Sequence, residues 1–250
     1  MNITAIDIFA IVMLGYFLIL GPILARREMA QLRRDVADGK PRARLDLYRR
    51  TIVMEWGLMA VSMAWWLIIG RSPAEAGLRF TFEGWQWLAL ALSMVAMWQF
   101  ARQTHRASQN PKNLDSVRSQ LGELVVIAPH TDAELQRFTW VSIAAGICEE
   151  ILYRGLLMTT LTAMLGLWPA VLLSSVVFGI GHAYQGAAGI VRTGLAGLVM
   201  ALVVVFTGSL PAAMLMHAVL DIVQGRLLWA AVNSDRTPPP YSANSAPSSA

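Results

Sequence analysis

The sequence predicts an all-α protein, a polytopic transmembrane helix bundle of about seven to eight spans. Three observations carry this. Of the 250 residues, 56% are hydrophobic and only 14% are charged, whereas a soluble domain carries about 25% charged residues. The apolar residues gather in runs of about twenty, the length a helix needs to cross the hydrocarbon core. The charges fall between those runs, and the densest polar stretch is strongly basic, as in a cytoplasmic loop of a multi-pass protein. The net charge of +4 is small and unevenly placed, which fits membrane topology and gives no basic footprint for nucleic acid. A single cysteine, Cys148, excludes an internal disulfide and the common cysteine-rich metal motifs.

The first span is read over Ile6–Ala25, with Gly21-Pro22 near its end. The apolar run from Ile3 to Ala25 lacks a basic leader and is long enough to span, so it does not read as a cleaved signal peptide. Arg26–Thr51 follows as a polar connection with nine basic residues against four acids. Loops this rich in arginine stay in the cytoplasm, which places the N-terminus outside. The same charges also suit anionic lipid. Ile52–Gly70 is the second span, and its Trp65 and Trp66 suit an interfacial belt. Arg71–Glu83 is a short outer loop and Gly84–Ala101 the third span. Arg102–Arg137 returns to the cytoplasm, with an apolar patch at Leu121–Pro129 expected to pack against the bundle. The remaining spans are read over Phe138–Ala163, Trp168–Tyr184, Ile190–Thr207 and Ser209–Ala231, with room for an eighth short or re-entrant segment. Gly194 and Gly197 in the sixth allow close helix approach. The tail 234–250 is rich in Pro, Ser and Ala and reads as disordered. Three regions result: an N-terminal transmembrane pair with its basic loop (1–71), a core (72–232) and the C-terminal tail (233–250).

The core carries charges that a lipid-facing helix does not tolerate. The stretch Cys148-Glu149-Glu150-Ile151-Leu152-Tyr153-Arg154 lies inside the fourth span. One such charge at the bilayer centre costs roughly 2.5–3.5 kcal/mol on insertion scales. Glu150 and Arg154 are four apart and share a helical face, so they can pair. Glu149 points about 100° away and is left for chemistry. The fifth span carries His182, preceded by Phe178, and the seventh carries His217 and Asp221 one turn apart. Each buried polar group needs polar company, so Glu149, Glu150, Arg154, His182, His217 and Asp221 are expected to converge on one wet cavity. Three chemistries fit. A carboxylate and an imidazole can activate water while a second imidazole and a neutral donor hold an oxyanion. Two histidines with carboxylates can hold a metal. The same groups can relay protons or ions. Cys148 is a poor nucleophile, since the adjoining acids disfavour its thiolate.

Glu149-Glu150…Arg154, Phe178…His182 and His217…Asp221, in this order and on these spans, resemble the CAAX protease and bacteriocin-processing family, also called CPBP or Abi-type intramembrane proteases. Glu75-Ala76-Gly77-Leu78 also resembles that family's outer-loop motif, so the likeness runs over about residues 72–224. It implies a membrane-embedded endopeptidase that hydrolyses a peptide bond of a membrane-associated peptide or protein substrate, in the lipid bilayer and without nucleic acid. Residue by residue, it implies that Glu149 and His182 activate water, that His217 and Asp221 form the oxyanion site, and that Glu150, Arg154 and Phe178 support them. It implies a glutamate-dependent reaction without a cofactor. The alternative is a divalent metal such as zinc on Glu149, His182, His217 and Asp221. The better-studied family members carry Asn where this chain has Asp221. The expected location is an integral multi-pass position in a bacterial cell membrane. The runner-up function is a non-proteolytic immunity or scaffolding protein that retains the fold. A transporter ranks third, because the paired broken helices of that class are missing.

Overall fold

A computed structural model describes residues 4–78, 83–120 and 122–234. Among them all regular structure is helical. The chain runs through α1 (Ala5–Gly15), α2 (Gly21–Ala37), α3 (Ala43–Ile68), α4 (Gln86–Ser108), α5 (Pro111–Gln120), α6 (Asp132–Glu150), α7 (Thr159–Leu165), α8 (Leu167–Gly181), α9 (Gly186–Thr207) and α10 (Leu210–Asn233). Wider π-helical turns at Tyr16–Leu20 and Ile151–Met158 join α1 to α2 and α6 to α7 without a break, and short 3-10 turns occupy Gly122–Val126 and Ala183–Gln185.

Among the described residues, four helical stretches are long and apolar enough to cross a membrane: Ala5–Ala37, Ala43–Ile68, Ala183–Thr207 and Leu210–Asn233. They correspond to the first, second, sixth and seventh predicted spans. The fifth, α8, is apolar but short, at 15 residues. The third and fourth, α4 and the helix that begins at Asp132, fall outside that set, and the latter carries Glu149, Glu150 and Arg154 near its middle. The first two spans also extend past the predicted cytoplasmic boundaries: α2 continues to Ala37 and α3 begins at Ala43, so most of the basic stretch is helix rather than loop. Leucine, arginine and glutamine are good helix formers, and nothing in 23–37 breaks the pattern until Asp38-Gly39.

Two tethers fix the ends of the helix that bears the acids. At its start Thr131 and Glu134 form a capping box: the Thr131 hydroxyl accepts from the Glu134 N–H at 3.2 Å, and Glu134 accepts from the Thr131 N–H at 3.2 Å. Arg44 of α3 stands 3.7 Å from Glu134 and donates through Nε to the Val126 carbonyl at 2.8 Å. Tyr48 donates to the Ile127 carbonyl, and Val126 and Ile127 pack on Leu32, Ala43 and Leu47. The apolar part of the 121–129 patch thus closes this end of the bundle; Leu121 itself lies outside the described residues.

At the opposite end the Ser72–Leu78 turn packs onto the wide turn after Glu150. Glu75 caps it, accepting from the Ser72 N–H at 2.6 Å and from Arg71 at 3.0 Å, and these donors hold its carboxyl below the usual carboxylate range. A Cβ on Gly155 would stand 3.0 Å from the Ala76 carbonyl oxygen, so only glycine lets the two backbones come this close. Trp66 corrects the belt expectation for its position. It is fully buried and its indole N–H donates to the Ser72 carbonyl at 2.9 Å, because a ring this large with one donor satisfies both needs by packing under the outer turn. Of the predicted tail, 235–250 lie outside the described residues.

Candidate active site

The site is built where α6, α8 and α10 meet. Glu149 and Glu150 end α6, and the π-helical stretch that carries Arg154 begins at the next residue. Wide turns of this kind recur at functional sites because they re-aim side chains within an otherwise regular helix. Glu150 and Arg154 are both fully buried, and Arg154 Nη1 donates to Glu150 Oε1 at 2.8 Å. The guanidinium also donates through Nη2 to the Gly197 carbonyl at 2.8 Å and lies over the Phe178 ring, 4.4 Å from its centroid. Gly197 is needed for that approach: a Cβ there would stand 2.9 Å from Nη2 and 2.9 Å from the Phe178 ring. Phe178 therefore supports the pair as a face for the cation.

His217 joins the same carboxylate. Its Nδ1 lies 2.8 Å from Glu150 Oε1. An ionised carboxylate only accepts, so Nδ1 carries the hydrogen and Nε2 faces the other way. On that side stand Glu149 Oε2 at 3.8 Å and Asp221 Oδ2 at 3.6 Å. His182 is oriented by the same logic. Its Nδ1 lies 2.9 Å from the Phe178 carbonyl, an obligate acceptor, so Nδ1 donates and Nε2 points to Glu149 Oε1 at 4.0 Å. Glu149 thus has one imidazole nitrogen near each oxygen, neither within direct hydrogen-bond range. Separations of 3.8–4.0 Å between polar atoms are those a bridging water spans.

The six residues singled out from the sequence therefore come together in one place, with Phe178 beneath them. Two features escaped the sequence reading. Glu150 does more than pair with Arg154, since it also holds His217, a contact across 67 positions that spacing does not reveal. Glu55 of α3 is the second. This acid lies inside the second apolar span, and its Oε2 is buried without a hydrogen-bond partner among the described residues. The signal was present: a lone carboxyl in a membrane span is a functional candidate in its own right. Among the described residues no group of three or more His, Cys, Asp or Glu side chains is disposed to hold a metal ion; the carboxylate oxygens stand 3.6–4.0 Å from the nitrogens they face on His182 and His217 Nε2. Cys148 is buried next to the acids in the chain.

Residues 132–223, which contain the whole of this constellation except Glu55, match the family model described as Rce1-like, type II CAAX prenyl endopeptidase Rce1-like. No curated protein and no solved structure matches the chain. The match covers α6 to the middle of α10, so this segment is similar to that of CAAX-type intramembrane proteases.

Proposed function

We propose that this Rce1-like chain is a glutamate-dependent intramembrane endopeptidase in which a water held between Glu149 and His182 attacks the scissile carbonyl. The observation that carries the reading is the asymmetry of the two acids. Glu150 is spent on Arg154 and His217, whereas Glu149 has no direct hydrogen bond among the described residues and an imidazole Nε2 about one water away from each oxygen. Glu149 takes the proton of the attacking water, helped by the Nε2 lone pair of His182, and returns it to the leaving amine.

The oxyanion falls to His217 and Asp221. With Nδ1–H committed to Glu150, His217 offers a donor at Nε2 only as the imidazolium. Asp221 faces Nε2 rather than Nδ1, so Glu150, not Asp221, orients the ring. Asp221 then serves the oxyanion as a protonated acid, since an anion there would repel the developing charge. No step in this scheme calls on a metal. The deciding experiment compares the N-termini of membrane proteins in cells carrying the wild type and Glu149→Ala. N-termini present only with the wild type are the expected result; identical sets would instead favour the non-proteolytic scaffold.

A further inference from the structure

The scheme above leaves one carboxyl unused. Glu55 lies twelve positions into α3, inside the apolar Ile52–Gly70 stretch, half-buried, with Oε2 fully enclosed and unpartnered among the described residues. α3 packs along α6. That packing puts Glu55 in the field of Glu149, and α10 adds Asp221. The Cys148 thiol of α6 and the Tyr184 hydroxyl, in the 3-10 turn before α9, also lie in its field. Four carboxyl groups thus share this region: Glu55, Glu149, Glu150 and Asp221. The cations are one guanidinium, Arg154, and two imidazoles, His182 and His217. Glu150 takes up Arg154 and one side of His217. The charged groups that bear on Glu55 are themselves carboxyls.

An ionised Glu55 would be an enclosed anion without a donor beside two other acids. Carboxylates crowded in one site do not all ionise, and a neutral acid is far cheaper to enclose than a charge. We propose that Glu55 is a proton-holding acid of the site: a neutral, enclosed carboxyl on the helix that packs along α6 which, as a positioning residue, reserves the negative charge for Glu149. The inference rests on the hydrolytic reading of Glu149. It also assigns a role to the N-terminal helix pair, which lies outside the matched segment.

The test uses the purified full-length chain in detergent with Glu55→Gln and Glu55→Met. Infrared spectroscopy near neutral pH reads the carbonyl band of protonated carboxylic acids and needs no activity. A farnesylated CAAX peptide with an internally quenched fluorophore reads kcat/KM against pH. The wild type should show a carboxylic-acid component that both variants lose, while the component of Asp221 stays. Glu55→Gln should keep the acid limb of the profile, because a neutral amide replaces a neutral acid, and should move the alkaline limb down, because the protonated groups that set it no longer titrate beside a Glu55 anion. Glu55→Met should assemble at least as well as the wild type, since an apolar residue replaces a group that carries no charge. An unchanged infrared band overturns the proposal, as does an alkaline limb that stays in place or a Glu55→Gln that assembles but is inactive. If the wild type does not cleave the peptide, the hydrolytic reading fails while the infrared band still decides the proton on Glu55.

Discussion

Glu150 is the residue through which the polar groups are ordered. A single oxygen, Oε1, takes the Arg154 guanidinium and the His217 ring, while Oε2 and Arg154 Nε have no partner among the described residues. Breaking such a buried pair costs about 3–5 kcal/mol because it strands the remaining charge. Arg154→Ala should therefore cut the yield of assembled protein in detergent, and His217 should lose its orientation with it. Glu149→Gln makes the contrasting prediction. It leaves the Glu150 network intact, so yield should match the wild type, while hydrolysis should fall by about 10²–10⁴-fold, the share a general base contributes. Retained activity would remove Glu149 from the role of base. Asp221 separates the two chemistries. As a protonated donor it should tolerate Asn and lose activity as Ala; as an anionic metal ligand it should not tolerate Asn, and chelator should inhibit the wild type. Assaying Asp221→Asn with and without chelator decides. At this scale the sequence was informative wherever a charge interrupts an apolar span, which is why Glu149, Glu150, Arg154, His182, His217 and Asp221 were legible. What the residues do to one another was less so. Which ring nitrogen meets which carboxylate depends on the rotation of α10 against α6, and no spacing along the chain encodes that angle.

Among the elements, α6 and α10 make the contact on which the site depends. A Cβ on Gly146 would stand 2.7 Å from the Ala218 backbone nitrogen and 2.9 Å from its Cα. Backbone cannot swing aside as a long side chain can, so Gly146→Ala must part the two helices. Gly146 lies one turn before Glu149 and Ala218 directly after His217, so parting them widens the 3.8 Å gap between Glu149 and His217. Gly146→Ala is expected to lose about 1–3 kcal/mol of stability by overpacking and at least about tenfold in kcat/KM, the scale of a group moved out of reach. Gly57→Ala is the matched control. It sits mid-helix in α3 with nothing within 4 Å of its Cβ position, so it should be neutral or slightly stabilising. Thermal unfolding and peptide cleavage measured on both variants check the pair. Close approach at Gly194 was readable from small residues in an apolar span, and it is realised against α8, where a Cβ on Gly179 would meet the Gly194 Cα at 3.1 Å. The partner of each glycine was not readable, nor was the π-helical stretch Ile151–Met158, whose residues are ordinary helix formers.

For the molecule as a whole, the structure ties together segments that the charge pattern assigned to the same side. Arg44 and Tyr48 bind the carbonyls of Val126 and Ile127, so the basic first connection and the long polar second one share one end of the bundle. The Ser72–Leu78 turn is held at the other end by Trp66 and by the Leu210 N–H, which donates to the Gly77 carbonyl at 3.3 Å. Glu149 lies seventeen positions along α6 from its first residue, Asp132, hence about 26 Å from the basic end at 1.5 Å per residue. That depth places the acids within the membrane whichever way the bundle faces, so the fold alone does not set orientation. The arginines predict it: Arg26, Arg27, Arg42 and Arg49 are all exposed at the end that carries Arg44 and Tyr48, and clusters of this kind are expected on the cytoplasmic side. Pro41 and Pro73 are exposed at opposite ends, and the native Cys148 is buried, so single cysteines report cleanly against a silent background. In intact cells an impermeant thiol reagent should label Pro73→Cys and spare Pro41→Cys, and permeabilisation should expose the second. The inverse pattern would turn the molecule over and put the basic end outside.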